Sequence, residues 1–274
     1  MNVYHQIRRK DCLSHKLWPL FEKGWPDVGR PVHFFWGLAG KNVDKIRECI
    51  RFDKEWWYVD VGYLNAPFTR YPEPRVDWDR MYFRICKGNL HTIRGKVGDG
   101  TRLSKIESEG IDCQFKGWQT GEMTHFLLAP SSPMVTMHIN GMSVSKWIEV
   151  ASEQIKQATI NTEFAEMPIK IRQKPRPGNQ WWQTDIRDDL KGCQALVTNM
   201  SLSAIDAILN MTPVFAHKRN IASFICGQHM GKITKPMRPG HKTVNEWLKM
   251  VVDNQFKLSE IEDGTAYELS LIHI

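Results

Sequence analysis

No run in the 274-residue sequence reaches the ~18 consecutive apolar residues that a membrane-spanning helix needs. The opening stretch from Met1 to Lys10 also lacks the apolar core of a secretory leader. Both absences lead to the expectation of a cytoplasmic protein that makes no use of a membrane. The six cysteines, Cys12, Cys49, Cys86, Cys113, Cys193 and Cys226, include no C-x-x-C pair. That spacing excludes a zinc ribbon and argues against a disulfide framework, so the thiols are expected to be reduced packing residues. No H-x-x-x-H motif and no carboxylate cluster at ligand spacing is present, and neither a metal nor a tightly bound cofactor is expected. Internal repeats are absent as well.

What is present is an ordinary globular composition, 42% hydrophobic, 24% charged and 11% aromatic, too apolar for a disordered chain. The length suits two modest domains. A formal net charge of +7 with a pI near 9.1 favours polyanionic partners; it permits nucleic acid without requiring it.

The second half carries the clearer pattern. THFLLAP (Thr124 to Pro130) is a short apolar run closed by Ser131, Ser132 and Pro133, as a buried strand would be. In VSKWIEVASEQIKQAT the residues Trp147, Ala151, Ile155 and Ala158 recur at helical spacing, with Ser143 or Ser145 placed as a cap. IKIRQKP reads as a strand, TDIRDDL as an acidic turn, CQALVTN as a strand, SLSAIDAILN as a helix and PVFAH as a further strand. Strands and helices alternating at this pace predict a doubly wound, parallel α/β domain. In the first half, RPVHFFWG, VDKIRECIRF and EWWYVD repeat the strand, helix, strand order; a loop rich in proline and aromatics follows, then the strand MYFRIC. The helix TVNEWLKMVVDNQF comes near the end. The expected division is an N-terminal domain over 1–120, a second domain over 121–240 and a closing helix over 241–268. The apolar end over 269–274 reads as a non-native appendage.

TNMSLSAIDAILNMTPVF is the strongest chemical signal. A strand ends at Asn199, Ser201 and Ser203 open a helix, and Asp206 sits one turn in. Such a helix start presents unpaired amides and partial positive charge, which can hold a diphosphate, while an acid nearby can reach a ribose. Ser203 with Asp206 equally fits the S-x-x-D capping box, which only stabilises helices. In IRQKP, Arg172 and Lys174 share one side by period two and could neutralise a diphosphate or form a solvated basic edge. The loop Gly37-Leu38-Ala39-Gly40-Lys41-Asn42 misses the phosphate-loop motif, since Phe35 and Asn42 replace the required glycine and hydroxyl. It remains either a glycine turn approaching a ligand or a tight strand-to-helix connection.

The stretch from Asn199 to Pro213 resembles the donor-binding motif of GT-B glycosyltransferases: Ser203, Ala204, Asp206, Ala207 and Pro213 match its serine, small residue, acid, alanine and proline. It departs in having aspartate where glutamate is commoner and Asn210-Met211-Thr212 in place of a glycine-containing turn. Across most of the chain, HFFWGLAG, WWYVDVGYL, YFRICKGNLH and NQFKLSEIEDGTA resemble small phage-encoded glycosyltransferases that modify hydroxymethylated bases in DNA. The resemblance implies two Rossmann-like domains facing a cleft. It further implies transfer of a hexose, glucose first, from a UDP-sugar to 5-hydroxymethylcytosine in double-stranded DNA, inside a bacterial host and by a monomer.

On that reading Gly37, Gly40, Arg172, Lys174, Asn199, Ser201, Ser203 and Asp206 bind the donor. Asp60, ending EWWYVD, is the base that takes the acceptor proton, with His33 and His91 as fallbacks. Asp60 equally reads as a turn residue before Gly62. Tyr63, Phe68, Tyr71, Arg84 and His91 are expected to meet the acceptor, the rings by stacking on a flipped base or by packing the loop on the core. Basic residues at Arg8 to Lys10, Lys170 to Arg176, Lys218, Arg219 and Lys232 to Lys242 would line the DNA side. The competing readings are a GT-B enzyme acting on a surface polysaccharide or small acceptor, and a DNA-binding module without catalysis.

Overall fold

The computed structural model describes residues 1–5, 13–64, 78–92, 97–175, 178, 180 and 184–272. The chain forms two compact units, one built from Met1–Asp112 with Leu248–Ile274, the other from Cys113–Trp247. Each is a Rossmann-like α/β unit around its own sheet, the fold class expected from the sequence.

The first unit has a five-stranded sheet in the order β1-β2-β3-β4-β9. β1 (Asn2–His5), β2 (Val32–Trp36) and β3 (Trp56–Val61) run parallel, and α2 (Asn42–Arg51) makes the crossover from β2 to β3. β4 (Phe83–Lys87) is antiparallel to β3, and β9 (Gln255–Phe256) is antiparallel to β4. α1 (Ser14–Gly24) supplies Leu17, Trp18 and Phe21 to an aromatic core with Trp25, Phe34, Trp57, Phe83 and Phe256. α3 (Thr101–Ser108) adds Arg102, whose guanidinium donates to Glu260 at 2.7 Å.

The second unit has a four-stranded, all-parallel sheet in the order β6-β5-β7-β8. Its strands are β5 (His125–Leu128), β6 (Ile169–Ile171), β7 (Cys193–Val197) and β8 (Val214–Phe215). α4 (Pro133–Asn140) and α5 (Val144–Thr159) connect β5 to β6. Ser143 caps α5 by accepting from the Lys146 amide at 3.2 Å, and Trp147, Ala151 and Ile155 form its buried stripe. α6 (Ile186–Leu190) precedes β7, and α7 (Ser203–Leu209) lies between β7 and β8. The run TDIRDDL is thus a helix, not a turn: the Asp185 carboxylate accepts from the Arg187 amide at 2.9 Å and starts it.

α8 (His241–Asp253) begins in the second unit and ends in the first. The last residues of TVNEWLKMVVDNQF leave the helix to form β9. α9 (Leu258–Glu262) packs on α1, and α10 (Thr265–Ile272) contributes Tyr267 and Leu269 to the edge of the first core. The apolar end therefore begins as helix packed on the first unit; residues 273 and 274 lie outside the described ones.

Candidate functional site

Parallel α/β sheets bind ligands beyond the carboxyl ends of their strands, where the winding reverses and two loops diverge. In the second unit the chain steps from β5 outward to β6, then returns to the other side of β5 as β7, so the reversal lies between β5 and β7. The loops leaving these strands, Ala129 to Ser132 and Thr198 to Ser201, are tied together. The Ser131 amide donates to Asn199 Oδ1 at 2.8 Å, the Met200 amide to Ser131 Oγ at 3.0 Å, and Thr198 Oγ1 to the Ala129 carbonyl at 2.6 Å. Asn199 Nδ2 completes the clamp on Thr136 Oγ1 and Asn140 Oδ1. Asn220 Nδ2 donates to the Asn199 and Ser201 carbonyls.

The expected donor residues separate on this geometry. Asn199 is buried and its side-chain amide is spent inside the clamp, so it sets the loop and is not placed to bind a donor. Ser201 is half-buried, and its hydroxyl accepts from the Ser203 amide at 3.2 Å in a local turn just ahead of the helix. Ser203 lies inside the helix, beyond the cap position at Leu202. Its hydroxyl is buried without a hydrogen-bond partner among the described residues. Asp206 is half-buried in the first turn. Where the resembled motif carries a glycine turn, Met211 adopts a left-handed backbone at φ 63°, the conformation that glycine takes without cost.

Arg172 lies off the strand and inside the protein, not on the expected diphosphate-facing side. β6 ends at Ile171, so period two does not extend to Arg172 and Lys174. The Arg172 guanidinium is buried; it donates to Asp189 in an ion pair, to Thr184 Oγ1 at 3.0 Å and to the Thr184 carbonyl at 2.8 Å. It staples the end of β6 to the start of α6 and has no face left for a diphosphate. Lys174 is exposed.

In the first unit, Gly37 and Gly40 follow β2 with φ near 60° and 61°, where a side chain would be strained although the space around them is open. Asn42 closes this loop by donating to the Trp36 and Gly37 carbonyls at 3.0 and 3.2 Å. The third residue of that apparent phosphate-loop ending is thereby a backbone clasp.

Asp60 stands opposite Arg84 in the β3–β4 register. Its Oδ2 accepts from Tyr58 OH at 2.5 Å and from Arg84 Nη2 at 2.9 Å, and its Oδ1 from the Val61 amide at 2.8 Å. The side chain keeps 29% of its surface exposed while that of Arg84 keeps 8%. Arg84 spends its other donors on the Leu90 and Val61 carbonyls. Burial pushes the Tyr58 phenol well above its ordinary value, and the Asp60 carboxylate adds to the shift, so Tyr58 is a permanent donor to Asp60. The arrangement presents one oriented carboxylate on a sealed cationic base. Sequence reading chose Asp60 but missed Arg84 in this role; the alternation of YFRICK would have placed an inward arginine beside it.

Two of the other expected acceptor residues, Tyr63 and His91, are packed into the core. Tyr63 is buried, with its hydroxyl accepting from the Thr92 amide at 2.9 Å and its own amide donating to Gln255. His91 is buried edge-on to Tyr63, and burial, then the nearby Arg84, hold its imidazole well below the ordinary value. Both are core residues, and Arg84 is the partner of Asp60. Phe68 and Tyr71 lie outside the described residues, as do Arg8 to Lys10 and Arg176. His33 is engaged with His5 at 3.0 Å, in a pair stacked beside Phe35. Among the described residues no group of three or more histidine, cysteine or acidic side chains is placed to hold a metal ion.

No family model matches the chain, and no curated protein sequence does. Two solved structures from Thermosulfurimonas dismutans are similar in fold. One, described as KpsC, beta Kdo 2,7 transferase, aligns over 99% of this chain and 98% of its own, with TM-score 0.50 and 10% identity. The other, KpsC, beta Kdo 2,4 transferase, covers 91% and 89%, with TM-score 0.48 and 10% identity.

Proposed function

We propose that the protein is a glycosyltransferase using a nucleotide sugar, with UDP-glucose the first candidate donor. The observation that carries this reading is the reversal of winding between β5 and β7, where the loop after β7 leads through Ser201 into the helix that bears Ser203 and Asp206. In the proposal the diphosphate lies against the Ser201 to Ser203 turn and the Asp206 carboxylate takes the ribose hydroxyls. Asp60 accepts the proton of the attacking hydroxyl; Arg84 and Tyr58 hold that carboxylate in one orientation, and the exposed part of Asp60 is the part an acceptor can reach.

The acceptor we propose is 5-hydroxymethylcytosine in double-stranded DNA. A glycan acceptor is the second reading, favoured by the fold shared with a protein described as a Kdo transferase. Mass spectrometry of hydroxymethylcytosine DNA and of an acidic oligosaccharide, each incubated with the protein and a panel of nucleotide sugars, tests both. A hexose mass increment on the DNA is the expected result; an increment on the oligosaccharide alone replaces the acceptor, and none on either, with no donor hydrolysis, removes the transferase.

A further inference from the structure

From Ala207 to Asn245 the chain contains no aspartate or glutamate, yet it carries Lys218, Arg219, Lys232, Lys235, Arg238 and Lys242. All six side chains are exposed, and among the described residues none of them lies in an ion pair. The first unit behaves differently. There Lys23 meets Glu262 at 2.6 Å, Lys54 meets Glu48 at 2.7 Å and Lys257 meets Glu109 at 2.8 Å. Uncompensated cations concentrated in one segment repel one another, and a ligand of opposite charge relieves that repulsion.

Four of the six lie in the chain that follows β8 and the strand-like Gly227 beside it. Lys218 and Arg219 follow the carboxyl end of β8, where the His217 amide donates to the Asn199 carbonyl at 3.2 Å. Gly227 then pairs in parallel with Phe215, so the chain beyond it leaves the sheet at its carboxyl end too. Lys232 closes the 3-10 turn Met230–Lys232 that packs on α5, and the Lys235 amide donates to the Lys232 carbonyl at 3.0 Å. Ile233 between them is fully buried and anchors the turn in the core.

We infer that this segment is a surface for the phosphodiester backbone of duplex DNA, deepening the transferase reading by giving its acceptor an anchor. The choice between a neutral glycan and a phosphodiester follows from hydrogen-bond inventory. A neutral glycan presents hydroxyls that donate as well as accept, for which a carboxylate is the charged acceptor. This segment offers none, whereas a phosphodiester only accepts and is satisfied by lysine and arginine. Such contacts position a duplex without reading its sequence.

The test is equilibrium binding of a fluorescent, unmodified DNA duplex to the whole protein, without donor, across a salt series. Each phosphate contact adds about 0.9 to the slope of log affinity against log salt, so removing two lowers that slope by about 2. Lys218→Ala with Arg219→Ala, and separately Lys232→Ala with Lys235→Ala, are expected to show that loss regardless of duplex sequence. All four positions are exposed, so melting temperatures should stay level and report an intact fold. Three results overturn the inference: an unchanged slope in both double variants; polysialic acid binding as tightly as DNA and weakened by the same substitutions; or weakened UDP-sugar binding with DNA binding intact. Because the duplex carries no hydroxymethylated base and no donor is present, failed transfer with normal binding would fault the transferase proposal alone.

Discussion

Asp60 and Arg84 illustrate how one residue pair constrains two experiments. Asp60→Asn removes the base while Asn Oδ1 can still accept from Arg84 and Tyr58, so transfer should fall by roughly 10²- to 10⁴-fold with donor binding kept. Turnover equal to wild type, measured with UDP-sugar binding in parallel, would remove Asp60 from the mechanism. Arg84→Met instead strips a half-buried carboxylate of its partner and leaves the Leu90 and Val61 carbonyls unmet, a loss of about 3 kcal/mol in urea unfolding. Protonation is similarly local. His5 accepts from Lys45 at Nδ1 and donates from Nε2 to His33 Nδ1, a chain that only neutral imidazoles sustain. Burial, then Lys45 and His33, lower the His5 value from 6.5 to about 4. The unfolded chain therefore takes up a proton that the folded chain refuses. The stabilisation is complete above pH 6.5 and is lost as pH falls towards 4. Melting temperature should decline over that window, and less steeply in His5→Gln.

At the scale of elements, close backbone approach decides which changes the fold tolerates. A Cβ on Gly24, the last residue of α1, would stand 1.8 Å from the Ile261 carbonyl oxygen in α9, and neither backbone can yield locally. Gly24→Ala should cost about 3 kcal/mol, at the upper end of overpacking penalties, lowering the urea midpoint without changing the slope. Elements governed by their own periodicity were legible in the sequence: β2, β3, β5, β7 and α5 lie where alternation or helical spacing puts them. β9 was not, because two residues become a strand only through pairing with Phe83 and Arg84, far away in the chain. Arg172 misled for a related reason. A cation beside a strand end looks the same in sequence whether it faces a ligand or, as here, Asp189 from the next helix. At Tyr63 and His91, polarity suggested a ligand while the structure spends it inside the core.

For the molecule as a whole, the two units differ in continuity. The second, Cys113–Trp247, is one uninterrupted stretch with its own parallel sheet and core. It should unfold cooperatively when produced alone, as read by circular dichroism in urea; a featureless, non-cooperative spectrum would contradict its independence. Residues 1–112 produced alone lack β9, the Phe256 contribution to the core and the α9 surface under α1, and should not hold a native sheet.

The first unit thus receives its final strand from residues 255 and 256. On a ribosome, residues 1–112 are made before the strand that completes their sheet, while 113–247, lying between, can already have settled. A nascent chain stalled before Leu248 would leave the β4 edge of the first sheet unpaired although the second unit is complete, which is the state a chaperone would meet.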